Sequence, residues 1–178
     1  MTGKDAIKLG MHHYVVPSDE PWGLPLNEKL MPEYFKEAGY KTAMIGKWHL
    51  GFYQKQYTPT LRGFDSHFGY LGPYIGYYDY SLMMHDRNFS RGYDMRKNLS
   101  VNYDVNPKPY VTELFTNEAV NLIKSHDKRS PLFLVLNHLA PHAGNEAPDE
   151  PLEAPEEEIK KFEYIENIQR RKLAGNKK

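Results

Sequence analysis

Lys47 and His49 stand two residues apart in the string Gly46-Lys47-Trp48-His49-Leu50-Gly51, at the end of the apolar run Thr42-Ala43-Met44-Ile45. A fixed cation and a titratable ring at that spacing can hold an anion and move a proton. In extended chain the side chains alternate with period two, so both groups emerge on one side. The same residues also read as a turn, with a solvated lysine and a capping histidine. A second group of polar residues, Asn137-His138-Leu139-Ala140-Pro141-His142, follows the run Leu132-Phe133-Leu134-Val135-Leu136. If both runs are strands of one open parallel sheet, both clusters lie beyond carboxyl ends, where such sheets bind ligands.

His142 is thus a candidate proton carrier beside Lys47 and His49. His138 directly follows an apolar strand and reads as a core or boundary histidine. His12, His13, His85 and His126 read as surface residues, and His67, between Asp65 and Gly69, as structural. Several parts of a hydrolase are missing. No carboxylate cluster at metal-ligand spacing accompanies the lysine and histidines, and there is no Gly-rich phosphate loop or recognisable serine nucleophile. The chain has no cysteine, which excludes disulfides, thiolate metal sites and a cysteine nucleophile within these residues.

The elements that must position these groups follow from periodicity. Leu30, Met31, Tyr34, Phe35 and Ala38 recur at helical spacing, with Pro32 suited to the first turn and Gly39 to the stop. A strand at 42–46 comes next. Between Val111 and about His126, Leu114, Phe115, Ala119, Leu122 and Ile123 define an amphipathic helix. The run at 132–136 reads as a strand buried on both faces. Alternating helix and buried strand predicts an α/β fold with a largely parallel sheet and flanking helices. Residues 1–26 and 52–110 read as irregular, the latter lying over an active-site face. The tyrosine-glycine run from Phe68 to Tyr80 reads as half-buried cover on the sheet, in preference to an aromatic platform for a sugar ring. Residues 146–158 read as a solvated acidic loop, and 159–171 as a helix with Ile159, Phe162, Ile165 and Ile168 inward.

The bulk properties suit one globular domain: 178 residues, 40% hydrophobic and 26% charged. Lys plus Arg equals Asp plus Glu at 23 each, so no global field favours nucleic acid or an anionic membrane. No apolar stretch approaches the ~18 residues of a membrane span. The N-terminus lacks the apolar core of a signal peptide. Asn88-Phe89-Ser90 and Asn98-Leu99-Ser100 are acceptor sequons, making Asn88 and Asn98 glycosylation candidates in a secretory protein.

The string from Gly39 to His49 resembles the second signature of the sulfatase family. Its extension through Leu50-Gly51-Phe52 and Arg62-Gly63-Phe64-Asp65 is similar to the arylsulfatase B (N-acetylgalactosamine-4-sulfatase)-like branch. Gly92-Tyr93-Asp94, Pro131-Leu132-Phe133-Leu134, Pro141-His142 with Ala147-Pro148, and Ile168-Gln169-Arg170-Arg171 follow in the family's order.

The resemblance implies a partial alkaline-phosphatase-like catalytic domain over residues 1–172, with 173–178 a frayed tail. It implies a sulfuric ester hydrolase that acts on aryl or glycosaminoglycan-type sulfates with a formylglycine nucleophile and calcium. Met1-Thr2-Gly3 resembles the end of the family's first signature. The cysteine that becomes formylglycine is therefore expected upstream of this chain, and the calcium ligands outside it, so the isolated chain is expected to be inactive. By the same resemblance Lys47 contacts the sulfate, and His49 bonds formylglycine and helps expel sulfate. His142 lies near the bridging ester oxygen, a substrate contact and candidate general acid. The family's cysteines near 22–26 and 82–92 are replaced here, so the disulfide support of close relatives is not expected. A lysosomal or secreted full-length protein and a sulfated carbohydrate or aryl sulfate substrate are further implications. The competing expectation is a non-catalytic, glycan-binding or degenerate sulfatase-like fragment.

Overall fold

Pro32 and Gly39 bracket the first helix, α1 (Met31–Glu37). The Glu33 carboxylate accepts from the Leu30 amide at 2.6 Å, satisfying an N–H that the first turn leaves unpaired. Gly39, at φ 85°, then reverses the chain directly into strand β1 (Lys41–Lys47). The computed structural model describes residues 1–13, 15–84, 90–105, 108–144 and 152–176.

Strand β1 is flanked by two parallel neighbours, β2 (Ser66–Tyr70) and β7 (Leu132–Asn137). Two short antiparallel strands, β5 (Arg96–Lys97) and β6 (Ser100–Val101), extend the sheet beyond β2, giving the order β6-β5-β2-β1-β7. A separate ribbon pairs β3 (Ser81–Met83) with β4 (Arg91–Tyr93). The register places Gly46 of β1 opposite Gly69 on one side and Asn137 on the other. A Cβ on Gly46 would overlap the Asn137 carbonyl, and one on Gly69 would overlap the Gly46 carbonyl. The three strands pinch together at this level because two of them lack side chains there.

Helix α2 (Val111–Ser125) covers one face of the sheet, and α1 the other. On the α2 side, Phe115 stacks on Tyr70 at 6.2 Å and meets Phe68 edge-on. On the α1 side, Phe35 stacks on Phe133 at 4.0 Å. Alternation along β1 sends Ile45 into the first core and Met44 into the second, which also takes Leu30, Trp48 and Phe64. This is an α/β sheet covered on both faces, as the periodicity predicts.

Four expectations need correction. Strand β2 lies within 52–110, where no long element is expected; Ser-His-Phe-Gly-Tyr has neither clean alternation nor a β-branched residue to announce it. Strand β7 is only half-buried, with Leu136 38% exposed, because among the described residues it pairs with β1 alone. The helix expected over 159–171 divides into α3 (Glu156–Lys160) and α4 (Ile168–Asn176), so Glu156, Glu157 and Glu158 are helical rather than loop. Asn167 opens α4, its side chain accepting from the Arg170 amide at 3.0 Å, while the Arg171 guanidinium donates to the carbonyls of Glu163 and Ile165. Ile168 consequently points outward, 48% exposed.

The fourth correction is the tail. Residues 173–176 continue α4, and Asn176 is fully buried, its side chain accepting from the Tyr77 hydroxyl and donating to the Glu153 carbonyl. A buried amide needs such partners, and here they anchor the helix end. Residues 177–178 and 145–151, the latter including Ala147-Pro148, lie outside the described residues. Among the described residues no helix is long and apolar enough to cross a membrane.

Candidate active site

Lys47 is the last residue of β1 and Trp48 follows it into the core, only 4% exposed. The indole N–H donates to the carbonyls of Gly51 (3.0 Å) and Tyr57 (2.9 Å), which fixes the strand's exit. The Trp48 and His49 amides continue the parallel ladder by donating to Tyr70 and Leu71. The Asn137 side-chain amide donates to the Lys47 carbonyl at 3.1 Å, tying the ends of β1 and β7 together. Lys47 is half-buried, and burial lowers its pKa. Among the described residues no carboxylate forms an ion pair with it. An arriving anion would offset that burial and favour the ammonium form.

His49 takes a left-handed backbone conformation (φ 55°), a placement rare for residues other than glycine. Its Nε2 lies 2.9 Å from the Val16 carbonyl oxygen. A carbonyl can only accept, so Nε2 carries the proton and Nδ1 remains the basic nitrogen. The His49 pKa is lowered, first by burial and further by the positive charges of Lys47 and His142, against the Val16 bond that raises it. Lys47 ends β1 and His142 follows β7, the strand paired with it, so the three groups belong to the same end of the sheet.

His142 sits in the loop after β7, its amide donating to the Leu139 carbonyl. Its Nδ1 lies 2.7 Å from the Ala143 carbonyl, so in the neutral ring Nδ1 carries the proton and Nε2 the lone pair. The ring stacks on Tyr74 with centroids 5.9 Å apart and planes 20° apart. The Tyr77 hydroxyl donates to the His142 carbonyl at 2.8 Å.

An open cleft of about 590 Å³ is lined by Lys47, Trp48, Leu136, Asn137, His138 and Ala140. A neighbouring cavity of about 530 Å³ lies against α2 and shares His138. His138 Nδ1 is buried with no partner among the described residues, and burial lowers the ring's pKa. The boundary position is as expected, but the ring is not satisfied there. Among the described residues no three histidine or carboxylate groups converge to hold a metal ion. The described residues therefore do not fit calcium, and with no cysteine the chain supplies no formylglycine.

The remaining candidates fall outside the site. His67 is buried on β2, its Nε2–H donating to the Gly46 carbonyl at 3.2 Å, and burial pushes its pKa down to about 4. That is the structural role expected, exercised directly beneath the glycine that precedes Lys47. Asn98 is exposed at the β5–β6 turn, its side-chain oxygen accepting from the His67 amide. Asn88 lies outside the described residues.

Asp94, which the sequence shows only as part of Gly92-Tyr93-Asp94, supports the site. Its buried carboxylate accepts from the Leu71 and Gly72 amides through one oxygen and from the Arg96 guanidinium through the other. Since the Leu71 carbonyl receives the His49 amide, Asp94 holds the segment on which His49 rests. The tyrosine run is cover as expected, with Tyr70, Tyr77 and Tyr80 fully buried. Tyr74 and Tyr77 nevertheless reach His142, a contact no spacing signals.

Lys47, His49 and His142 all lie at or beyond the carboxyl ends of the adjacent parallel strands β1 and β7, the side on which open α/β sheets bind ligands. The chain belongs to the sulfatase family: the family model described as Sulfatase matches residues 1–171. It is 37% identical over 175 residues to mouse arylsulfatase J, covering 98% of this chain and 28% of that relative. It is 32% identical over 154 residues to mouse N-acetylgalactosamine-6-sulfatase, and 33% over 147 to an arylsulfatase of Klebsiella aerogenes, each match covering 80% of this chain and 29% of the relative. The crystal structure of Ps i-CgsB in complex with k-i-k-neocarrahexaose superposes with a TM-score of 0.81 at 28% identity, over 99% of this chain and 39% of that one. The fold is the alkaline-phosphatase-like fold of the sulfatases, and the chain spans less than a third of the curated relatives it matches.

Proposed function

We propose that this chain carries the anion-holding and proton-moving part of a sulfatase active site, for hydrolysis of aryl or carbohydrate sulfate esters. The observation that carries the reading is the parallel pairing of β1 with β7, which puts Lys47 and His49 at the end of one strand and His142 in the loop that leaves the end of its neighbour. Lys47 is the point charge that stabilises negative charge growing on sulfate oxygens. His142, with Nδ1–H committed to Ala143, delivers a proton from Nε2 to the departing ester oxygen as the S–O bond breaks. His49, with Nε2–H committed to Val16, keeps Nδ1 to take up a proton when sulfate is released. No step is assigned to calcium or formylglycine, which these residues do not hold.

A sulfated carbohydrate is the natural substrate class on this reading. Support comes from family membership, from the N-acetylgalactosamine-6-sulfatase relatives, and from an oligosaccharide complex among the related structures. A lysosomal or secreted setting, use of the Asn88 and Asn98 sequons, and the sulfate-site roles of Lys47, His49 and His142 belong to the same proposal.

The test is a chimera in which residues 1–171 replace the matching segment of mouse arylsulfatase J. Expected is turnover of 4-nitrophenyl sulfate that falls about 10²-fold or more in Lys47→Ala, and no turnover by the 178-residue chain alone. An active chimera indifferent to Lys47→Ala would contradict the assignment. Calcium-dependent turnover by the isolated chain would overturn the view that it holds only part of the site.

A further inference from the structure

The ring of His142 is exposed, yet it has an aromatic neighbour. Tyr74 lies nearly parallel to it, centroids 5.9 Å apart and planes 20° apart. Nδ1 is engaged with the Ala143 carbonyl, a contact to the next residue that moves with the loop itself. The Tyr74 stack is different, because it joins His142 to a distant and fixed segment.

That segment is held at several points. Tyr77, three residues on, is fully buried, and its single hydroxyl proton is shared between the His142 carbonyl at 2.8 Å and the Asn176 side-chain oxygen at 3.1 Å. Its amide donates to Glu153 at 2.8 Å, and its carbonyl accepts from Val111 at the start of α2. Gly76 donates to Ser81, closing the turn that follows Tyr74. Tyr74 itself packs against the core cluster on the α2 side. The loop of His142 is thereby pinned through its backbone by Tyr77 and through its ring by Tyr74.

We infer that Tyr74 is a positioning residue for His142, holding the imidazole plane so that Nε2 meets the leaving oxygen. The inference rests on the general-acid reading of His142 given above. A general acid acts only from a narrow range of positions, and a solvent-exposed ring with a single local bond samples many. A flat aromatic surface on a rigid segment restricts that rotation and leaves Nε2 open. Tyr74 needs only its ring for this, so phenylalanine suffices.

Two measurements test it. In the 178-residue chain, the His142 ring-proton shifts in proton–carbon NMR spectra move in Tyr74→Ala and stay at their wild-type values in Tyr74→Phe. The His67 signals stay in place in both variants, showing that the sheet is intact. In the arylsulfatase J chimera, Tyr74→Ala slows an alkyl sulfate about tenfold in kcat. It leaves 4-nitrophenyl sulfate, whose leaving group needs no proton, within about twofold. Tyr74→Phe restores the alkyl sulfate rate. Identical His142 shifts in the wild type and Tyr74→Ala, or equal slowing of both esters, overturns the inference while the role of His142 stands. If His142→Ala itself slows both esters equally, the general-acid reading fails, and the role of Tyr74 falls with it.

Discussion

The His49 ring donates from Nε2 to the carbonyl of Val16, 2.9 Å away and 33 residues earlier in the chain. The irregular N-terminal segment thus sets the tautomer of a histidine at the end of the central strand. Proton and nitrogen NMR should show His49 as the Nε2–H form, titrating below the ordinary histidine value because burial and the Lys47 and His142 charges disfavour the imidazolium. Lys47→Met removes one of those charges and should raise the His49 pKa. A fall, or no change, would mean the two side chains do not face each other.

Gly46 has no room for a side chain. It sits at φ 97° and a Cβ there would strike the Asn137 carbonyl oxygen. Gly46→Ala should lower the unfolding free energy by more than about 3 kcal/mol, the sum of backbone strain and overpacking. Urea denaturation followed by circular dichroism reads this directly. An alanine variant of native stability would refute the pinch between β1 and β7.

Asp94 is the buried counter-ion of Arg96 and the acceptor for two backbone amides. Asp94→Ala leaves Arg96 and those amides without their partner, a loss of about 3 kcal/mol. Because the Leu71 carbonyl also receives the His49 amide, the His49 signals should move in the same variant. Arg96→Met should cost less, since Asp94 keeps its two amide donors.

His67 predicts an acid sensitivity with a defined sign. Its folded pKa, about 4, lies below the unfolded histidine value of about 6.5. The unfolded chain therefore binds the proton more readily, and the neutral ring's contribution is fully present above about pH 6.5. It fades as pH falls toward 4, by about 3 kcal/mol. His67→Gln keeps an N–H within reach of Gly46 and cannot titrate, so its stability should depend less on pH over that window. Parallel pH profiles for the two proteins would contradict the burial of a neutral ring.

The sequence makes the frame legible where periodicity is strong. Val111 to Ser125 and Lys41 to Lys47 appear as helix and strand within a residue of expectation. The strand-end positions of Lys47, His49 and His142 are also visible, Lys47 and His49 within the string that resembles a family signature and His142 from the polar residues after the second apolar run. What stays hidden depends on contacts between distant residues. Strand β2 exists because Gly69 lets it approach Gly46, and a glycine in a five-residue strand gives no periodic signal. The break between α3 and α4 depends on Asn167 capping and Arg171 reaching back to the linker, where helical spacing alone would run straight through. Asp94 and Tyr74 matter through partners 23 and 68 positions away, as 94 − 71 and 142 − 74 give, separations no local pattern can show.

In the function proposed above, Lys47, His49 and His142 form one sulfate-binding group. Titrating inorganic sulfate into the 178-residue chain, with NMR observation of the Lys47 side chain and the two imidazoles, tests it most directly. Expected is one saturable transition shared by all three residues and abolished in Lys47→Met. Three independent responses, or a shared transition that survives Lys47→Met, would contradict it.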